Sequence, residues 1–122
     1  HDVTTIDGFR LYCLQKSAVT EELPFGPDTL VFKVQGKIFA LCDLNEFRSV
    51  NLKCDPDYAI DLREQYPRSV LPGYHMNKKH WNTVLVAGEV DANLLRDLVD
   101  HSYDCVCKTL PKSRRPKDWV MR

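Results

Sequence analysis

The chain has 122 residues, 43% hydrophobic and 28% charged, with 17 acidic and 17 basic side chains. That length suits one domain with a real core and is too short for two, and the ordinary composition excludes a disordered or fibrous chain. Charge is unevenly spread: residues 1–65 carry 11 acids and 7 bases, a balance of −4, while residues 66–122 carry 6 and 10, a balance of +4. A basic C-terminal half points to an anionic partner, although it also fits a solvated face balanced by its neighbours.

Thr5 suits a helix N-cap, with Phe9, Leu11, Tyr12 and Leu14 as the apolar side of a first helix reaching about Ser17. The stretch from Val19 to Pro27 reads as an irregular connection, stopped by Pro24, Gly26 and Pro27. A hairpin follows, Leu30 to Val34 and Lys37 to Cys42 around Gln35-Gly36. A two-residue turn sets Phe32 against Phe39 and Leu30 against Leu41 on one face, with Val31, Lys33, Ile38 and Ala40 on the other. Val50 to Cys54 reads as a third strand that turns Asn51 and Lys53 outward. Asp55-Pro56 then starts a second helix, a carboxylate cap before a proline at the first helical position. Ala59, Ile60, Leu62 and Arg63 carry that helix to Tyr66-Pro67. Pro72-Gly73 favours a turn or irregular strand before a better strand from about His80 to Val86. Asp91 caps a last helix whose Leu94, Leu95, Leu98, Val99, Tyr103 and Val106 form one apolar stripe, and Leu110-Pro111 ends it. The order α-β-β-β-α-β-β-α predicts an α+β two-layer sandwich, an antiparallel sheet with helices on one face. Residues 1–112 read as a single domain and 113–122 as a basic, loosely held tail, docked only where Trp119 and Val120 pack.

Several kinds of chemistry find little support. No apolar run is long enough to span a membrane and no leader-like segment is present, so the expectation is a cytoplasmic protein without membrane contact. Cys13, Cys42, Cys54, Cys105 and Cys107 are odd in number and include no C-x-x-C pair, which reads as reduced, mostly buried thiols and not as a zinc site. No nucleophile elbow, phosphate-binding glycine loop or singular carboxylate pair occurs, so no enzyme activity and no cofactor are expected. His75 and His80 are five apart and face opposite sides of a continuous strand, so no metal is expected unless Met76-Asn77 turn the chain.

The segment Val70–Val86, VLPGYHMNKKHWNTVLV, is different. It lies within the acid-free interval from Glu64 to Glu89 and concentrates Tyr74, His75, Lys78, Lys79, His80 and Trp81. Lysines at a bend reach phosphates, and flanking aromatic rings stack on bases or sugars. Lys33, Lys37 and Lys53 sit in or beside the first hairpin and third strand, and Arg114, Arg115 and Lys117 occupy the tail. The competing reading makes Tyr74 and Trp81 core residues and Lys78-Lys79 a solvated turn.

The stretches LPFGPDTLVFKVQGKIFAL, NLKCDPDYAIDLREQYP, LPGYHMNKKHWNTV and DHSYDCVCKTLPK together resemble the bacterial MmcQ/YjbR family from about Phe9 to Lys112. The resemblance implies a frataxin-like (CyaY-like) or secretion-chaperone-like sandwich and a double-wing DNA-binding role, a label that rests on fold. The positions that carry this role over are Lys33, Lys37, Lys53 and the motif from His75 to Trp81. Ser102-Tyr103 and Leu110-Pro111-Lys112 also match and look structural. Iron binding through an acidic first helix does not transfer, because that helix offers only Asp7. The leading expectation is therefore a DNA-binding, regulatory protein that contacts phosphates through two basic hairpins. The alternative is a non-enzymatic protein- or ligand-binding module that uses the open sheet face, with a homodimer as its plainest form.

Overall fold

The protein, a computed structural model, is described over residues 1–74 and 76–120. In chain order its elements are α1 (Ile6–Leu14), β1 (Val19–Glu22), β2 (Thr29–Val34), β3 (Lys37–Asp43), β4 (Ser49–Lys53), α2 (Pro56–Gln65), β5 (Val70–Pro72), β6 (Trp81–Leu85) and α3 (Ala92–Thr109). These described residues form one antiparallel sheet in the order β1-β2-β3-β4-β6-β5. Phe9 of α1, Leu62 of α2 and Leu95, Val99 and Val106 of α3 bury against Phe32, Phe39, Leu52 and Val84 of the sheet, so the helices form a layer on one face. The predicted two-layer α+β sandwich is the observed one.

The helix starts follow from local chemistry. The Thr5 hydroxyl accepts from the Gly8 amide at 3.2 Å, and the Asp91 carboxylate accepts from the Leu94 amide at 2.8 Å. Asp55 takes the Asp57 and Tyr58 amides onto one oxygen, with Pro56 at the first helical position. Each cap satisfies N–H groups that the first turn leaves without partners.

Within the sheet, the structure departs from the sequence reading in two places. The stretch expected to be irregular contains a strand, β1, before the Pro24–Pro27 breakers take effect. Val19 packs on the core, and Glu21 points back to α1, where both its oxygens accept from the Arg10 guanidinium. The first hairpin also carries a β-bulge. Gln35 (φ 49°) and Gly36 (φ 82°) form the tight two-residue turn with both central residues left-handed, and Lys33 pairs with Ile38 as expected. Beyond that point β3 holds one extra residue: Phe32 faces Ala40 and not Phe39, and Leu30 faces Cys42 and not Leu41. The bulge turns Phe39 and Ala40 both toward the helices and moves Leu41 to the open face in place of Ala40.

The sheet has two edges. One is the four-residue β1, which presents Glu21 and Glu22; the other is the three-residue β5, which ends in Pro72. The segment after α3 is tied down more than the sequence predicts. Trp119 Nε1 donates to Asp104 at 2.8 Å, Arg115 donates to the Leu110 and Lys108 carbonyls, and Arg114 donates to the Gln35 carbonyl. Among the described residues no helix is long and apolar enough to cross a membrane.

Candidate nucleic-acid interface

Antiparallel pairing decides which side chains share an end of the sheet. The β2–β3 turn lies beside Lys37, β4 finishes at Lys53, and Lys53 pairs with Trp81 at the start of β6. The two connections that carry the sequence-predicted lysines, Gln35-Gly36 and Tyr74–His80, therefore open at the same end of the sandwich. The last turn of α3 reaches this end too, because the Lys37 ammonium approaches the Thr109 hydroxyl at 3.4 Å. Lys108 and, through its bond to Gln35, Arg114 are added to the set.

Lys78 and Lys79 are exposed at the tip of the β5–β6 connection. Their backbone is held in three ways. Asn77 Oδ1 accepts from the Lys79 amide at 2.9 Å, Arg63 of α2 donates to the Lys78 carbonyl, and the Asn77 carbonyl accepts from Trp81 N at 2.9 Å. Arg63 also reaches the Trp81 carbonyl at 3.2 Å and Asn82 Oδ1 at 2.8 Å, so one guanidinium staples both ends of the loop to the helix layer. Gly73 brings the incoming strand within hydrogen-bonding distance of Trp81, its amide donating to the Trp81 carbonyl at 2.8 Å. A Cβ there would stand 2.8 Å from the Trp81 Cβ, so any side chain would push the loop away from β6.

His80 is half-buried, and its carbonyl accepts from the Cys54 amide at 2.8 Å. With Lys53, Lys108 and His101 it borders a groove of about 450 Å³ between the end of β4 and the end of α3. Trp81 is half-buried beside Lys53, and Tyr74 is exposed. His75 lies outside the described residues.

Electrostatics separate the candidate lysines. Lys33 lies on the open face and is neutralised by Glu22, with Nζ 2.6 Å from the carboxylate. The four ion pairs among the described residues are Arg10–Glu21, Lys16–Asp100, Lys33–Glu22 and Arg48–Glu46, and none includes a residue of the two connections. Lys37, Lys53, Lys78, Lys79 and Lys108 thus converge on one end without an ion pair among the described residues, and Asp55, the carboxylate on the groove beside Lys53 and Lys108, is engaged in capping α2. Two contributors escaped the sequence reading. Arg63 was visible as an arginine four residues after the buried Ala59, on the inner side of its helix. Lys108 gave no signal, since nothing local says which end of the sheet a helix terminus will meet.

The remaining chemistry of this end is quiet. His101 Nε2 accepts from the Asp55 amide at 3.1 Å, stands edge-on to Tyr58 with ring centroids 4.9 Å apart, and is held below its usual pKa by burial. Burial pushes the thiols of Cys42 and Cys54 up to about 12 and that of Cys107 to about 11, and raises Cys13 and Cys105 as well, so all five stay protonated at neutral pH. Among the described residues no three His, Cys, Asp or Glu side chains converge as a metal site.

The sequence profile of the YjbR family matches residues 14–105, from the end of α1 to within α3. The chain belongs to the YjbR family. Within related sequences it is 47% identical to the uncharacterized protein YbdF of Escherichia coli O157:H7 over 90 residues, 73% of each chain. It is 33% identical to the uncharacterized protein YjbR of Escherichia coli K12 over 112 residues, 91% of this chain and 94% of the other. The crystal structure of a Deinococcus radiodurans protein with a DUF419 domain superposes with a TM-score of 0.89 at 39% identity, covering 94% of this chain and 88% of that one. A solution structure of a Pseudomonas syringae protein gives a TM-score of 0.67 at 25% identity over 95% and 97% of the two chains. The YjbR match spans both connections, whereas Lys108 and Thr109 on the groove lie beyond it. Arg114 falls outside the matched residues.

Proposed function

We propose that this YjbR-family protein is a cytoplasmic, non-enzymatic DNA-binding protein that grips the phosphate backbone with the end of the sandwich where its two hairpin connections meet. The observation that carries the reading is the gathering of Lys37, Lys53, Lys78, Lys79 and Lys108 at that end without an ion pair among the described residues. Lysines left unpaired in a protein with 17 acids and no net charge form a local positive field, and such a field favours a polyanion. The tip lysines are mounted on a loop that Arg63 and Gly73 hold in place, so little ordering is needed on contact. Contacts of this kind select charge and shape, not base sequence.

Fluorescence anisotropy of labelled duplex and single-stranded DNA at two salt concentrations tests the proposal. Binding should weaken steeply with salt, log K falling by about 0.9 per log unit of salt for each phosphate neutralised on a duplex. No binding to either form at low salt would remove DNA as the partner.

A further inference from the structure

We propose that the open face of the sheet, beside the β5–β6 connection, holds a binding site for an uncharged flat aromatic or heteroaromatic ring that bears a carbonyl. A concavity of about 590 Å³ lies on this face, within the range of small-molecule sites. Leu41 and Met76 contribute apolar lining, and Phe25 and Tyr74 border it from loops far apart in sequence. Those two rings are 66% and 70% exposed. A flat ring placed between them would remove apolar surface from water on both sides. Leu41 faces this way only because of the bulge in β3.

The polar group that sets orientation is Asn51, in the middle of β4. Its Oδ1 accepts from the Thr83 hydroxyl at 2.6 Å, and that hydroxyl accepts from the Tyr74 amide at 3.0 Å. The Tyr74 N–H can only donate, so Thr83 receives there and passes its single hydrogen on to Asn51. This chain fixes the carboxamide with its oxygen toward Thr83 and its NH₂ turned away, toward the concavity that Asn51 lines. Among the described residues the NH₂ makes no hydrogen bond. Two unused donors beside an apolar, ring-bordered hollow suit a carbonyl on a flat ligand. Asp43 on the lining, one of whose oxygens is taken by the Asn45 amide at 2.8 Å, repels an anionic one.

The same chemistry occurs in a free aromatic amide and in an unstacked base of a nucleic-acid strand, and the test separates them. ¹H–¹⁵N and methyl NMR spectra of the full chain would follow the Asn51 NH₂ pair and the Met76 methyl during titration with benzamide, with benzoate and with a five-residue thymidine oligonucleotide. Benzamide should move both signals saturably and benzoate should bind several-fold more weakly. A shift with the oligonucleotide alone assigns the site to a base of a bound strand, and a shift with benzamide assigns it to a free ligand. Asn51→Asp keeps an acceptor for Thr83 and loses the donors, so it should weaken benzamide at least tenfold. Tyr74→Ala and Phe25→Ala, at exposed positions, should weaken it without touching the fold. Failure of every probe to move the Asn51 signals overturns the proposal. So would concentration-dependent shifts of these signals in the ligand-free protein, which would make a second copy of the chain the occupant.

Discussion

The Ser102 hydroxyl donates to the Phe39 carbonyl at 2.5 Å, bridging α3 to the bulged residue of β3. The same oxygen accepts from the Lys53 amide at 2.9 Å, so one side chain fills the gap that the bulge opens between β3 and β4. Ser102→Ala leaves a buried carbonyl and an amide without partners and should cost about 2 kcal/mol. Urea unfolding measures it: the midpoint should fall with the slope unchanged. An unchanged midpoint would mean that these backbone groups find other partners.

Arg63 acts on the β5–β6 connection from behind. Arg63→Ala removes its bonds to the Lys78 and Trp81 carbonyls and to Asn82. Amide hydrogen exchange should speed up across residues 76–81, and DNA affinity should fall roughly three- to tenfold although no tip lysine is lost. Arg63→Lys should not restore either property, because a point ammonium cannot replace the forked guanidinium.

The tip lysines and Lys33 should behave differently. Lys78→Glu with Lys79→Glu should weaken binding to all DNA sequences alike, by roughly tenfold or more at low salt, and reduce the salt slope by about 2. Lys33→Glu should change affinity far less, since Lys33 is already paired with Glu22. Anisotropy titrations of the two variants side by side decide this, and equal losses would move the contact surface onto the open face.

His101 predicts a pH dependence of stability. Burial lowers its folded pKa below the ordinary 6.5, against the carboxylates of Asp55 and Asp104 and with the help of Lys108. The unfolded chain therefore takes up the proton first as pH falls, and stability drops between about 6.5 and the lower folded value, then levels off. Protonation also costs the bond that His101 Nε2 accepts from Asp55. The unfolding midpoint should be lower at pH 5.5 than at pH 7.5 in the parent protein, and His101→Gln should flatten the difference.

Helix starts, the last helix's apolar stripe and the outward turn of Asn51 and Lys53 were legible because each depends on residues close in sequence. The bulge at Phe39 was not: the local alternation of β3 fits a regular hairpin, and the group that meets the bulged carbonyl, Ser102, lies 63 residues away. The strand at Val19–Glu22 was hidden for a similar reason, since four residues with two glutamates gain a strand's stability only from β2 and from Arg10. At the candidate interface, the lysine-rich connection was visible from composition. Its alignment with the first hairpin was a consequence of strand order, and the neutralisation of Lys33 depended on a partner in the unforeseen strand.

The two sheet margins have a bearing on how copies of this molecule meet. An unguarded outer strand offers a row of amides and carbonyls on which another chain can continue the ladder, the first step of many aggregates. Here β1 is only four residues long and its two glutamates are held in ion pairs with Arg10 and Lys33, and β5 is shorter still and ends in a proline that cannot donate. Neither margin is a good template for sheet extension. Self-association of this protein should therefore bury faces and not lengthen the sheet, and the chain should resist fibrillar precipitation at the concentrations that NMR titrations require.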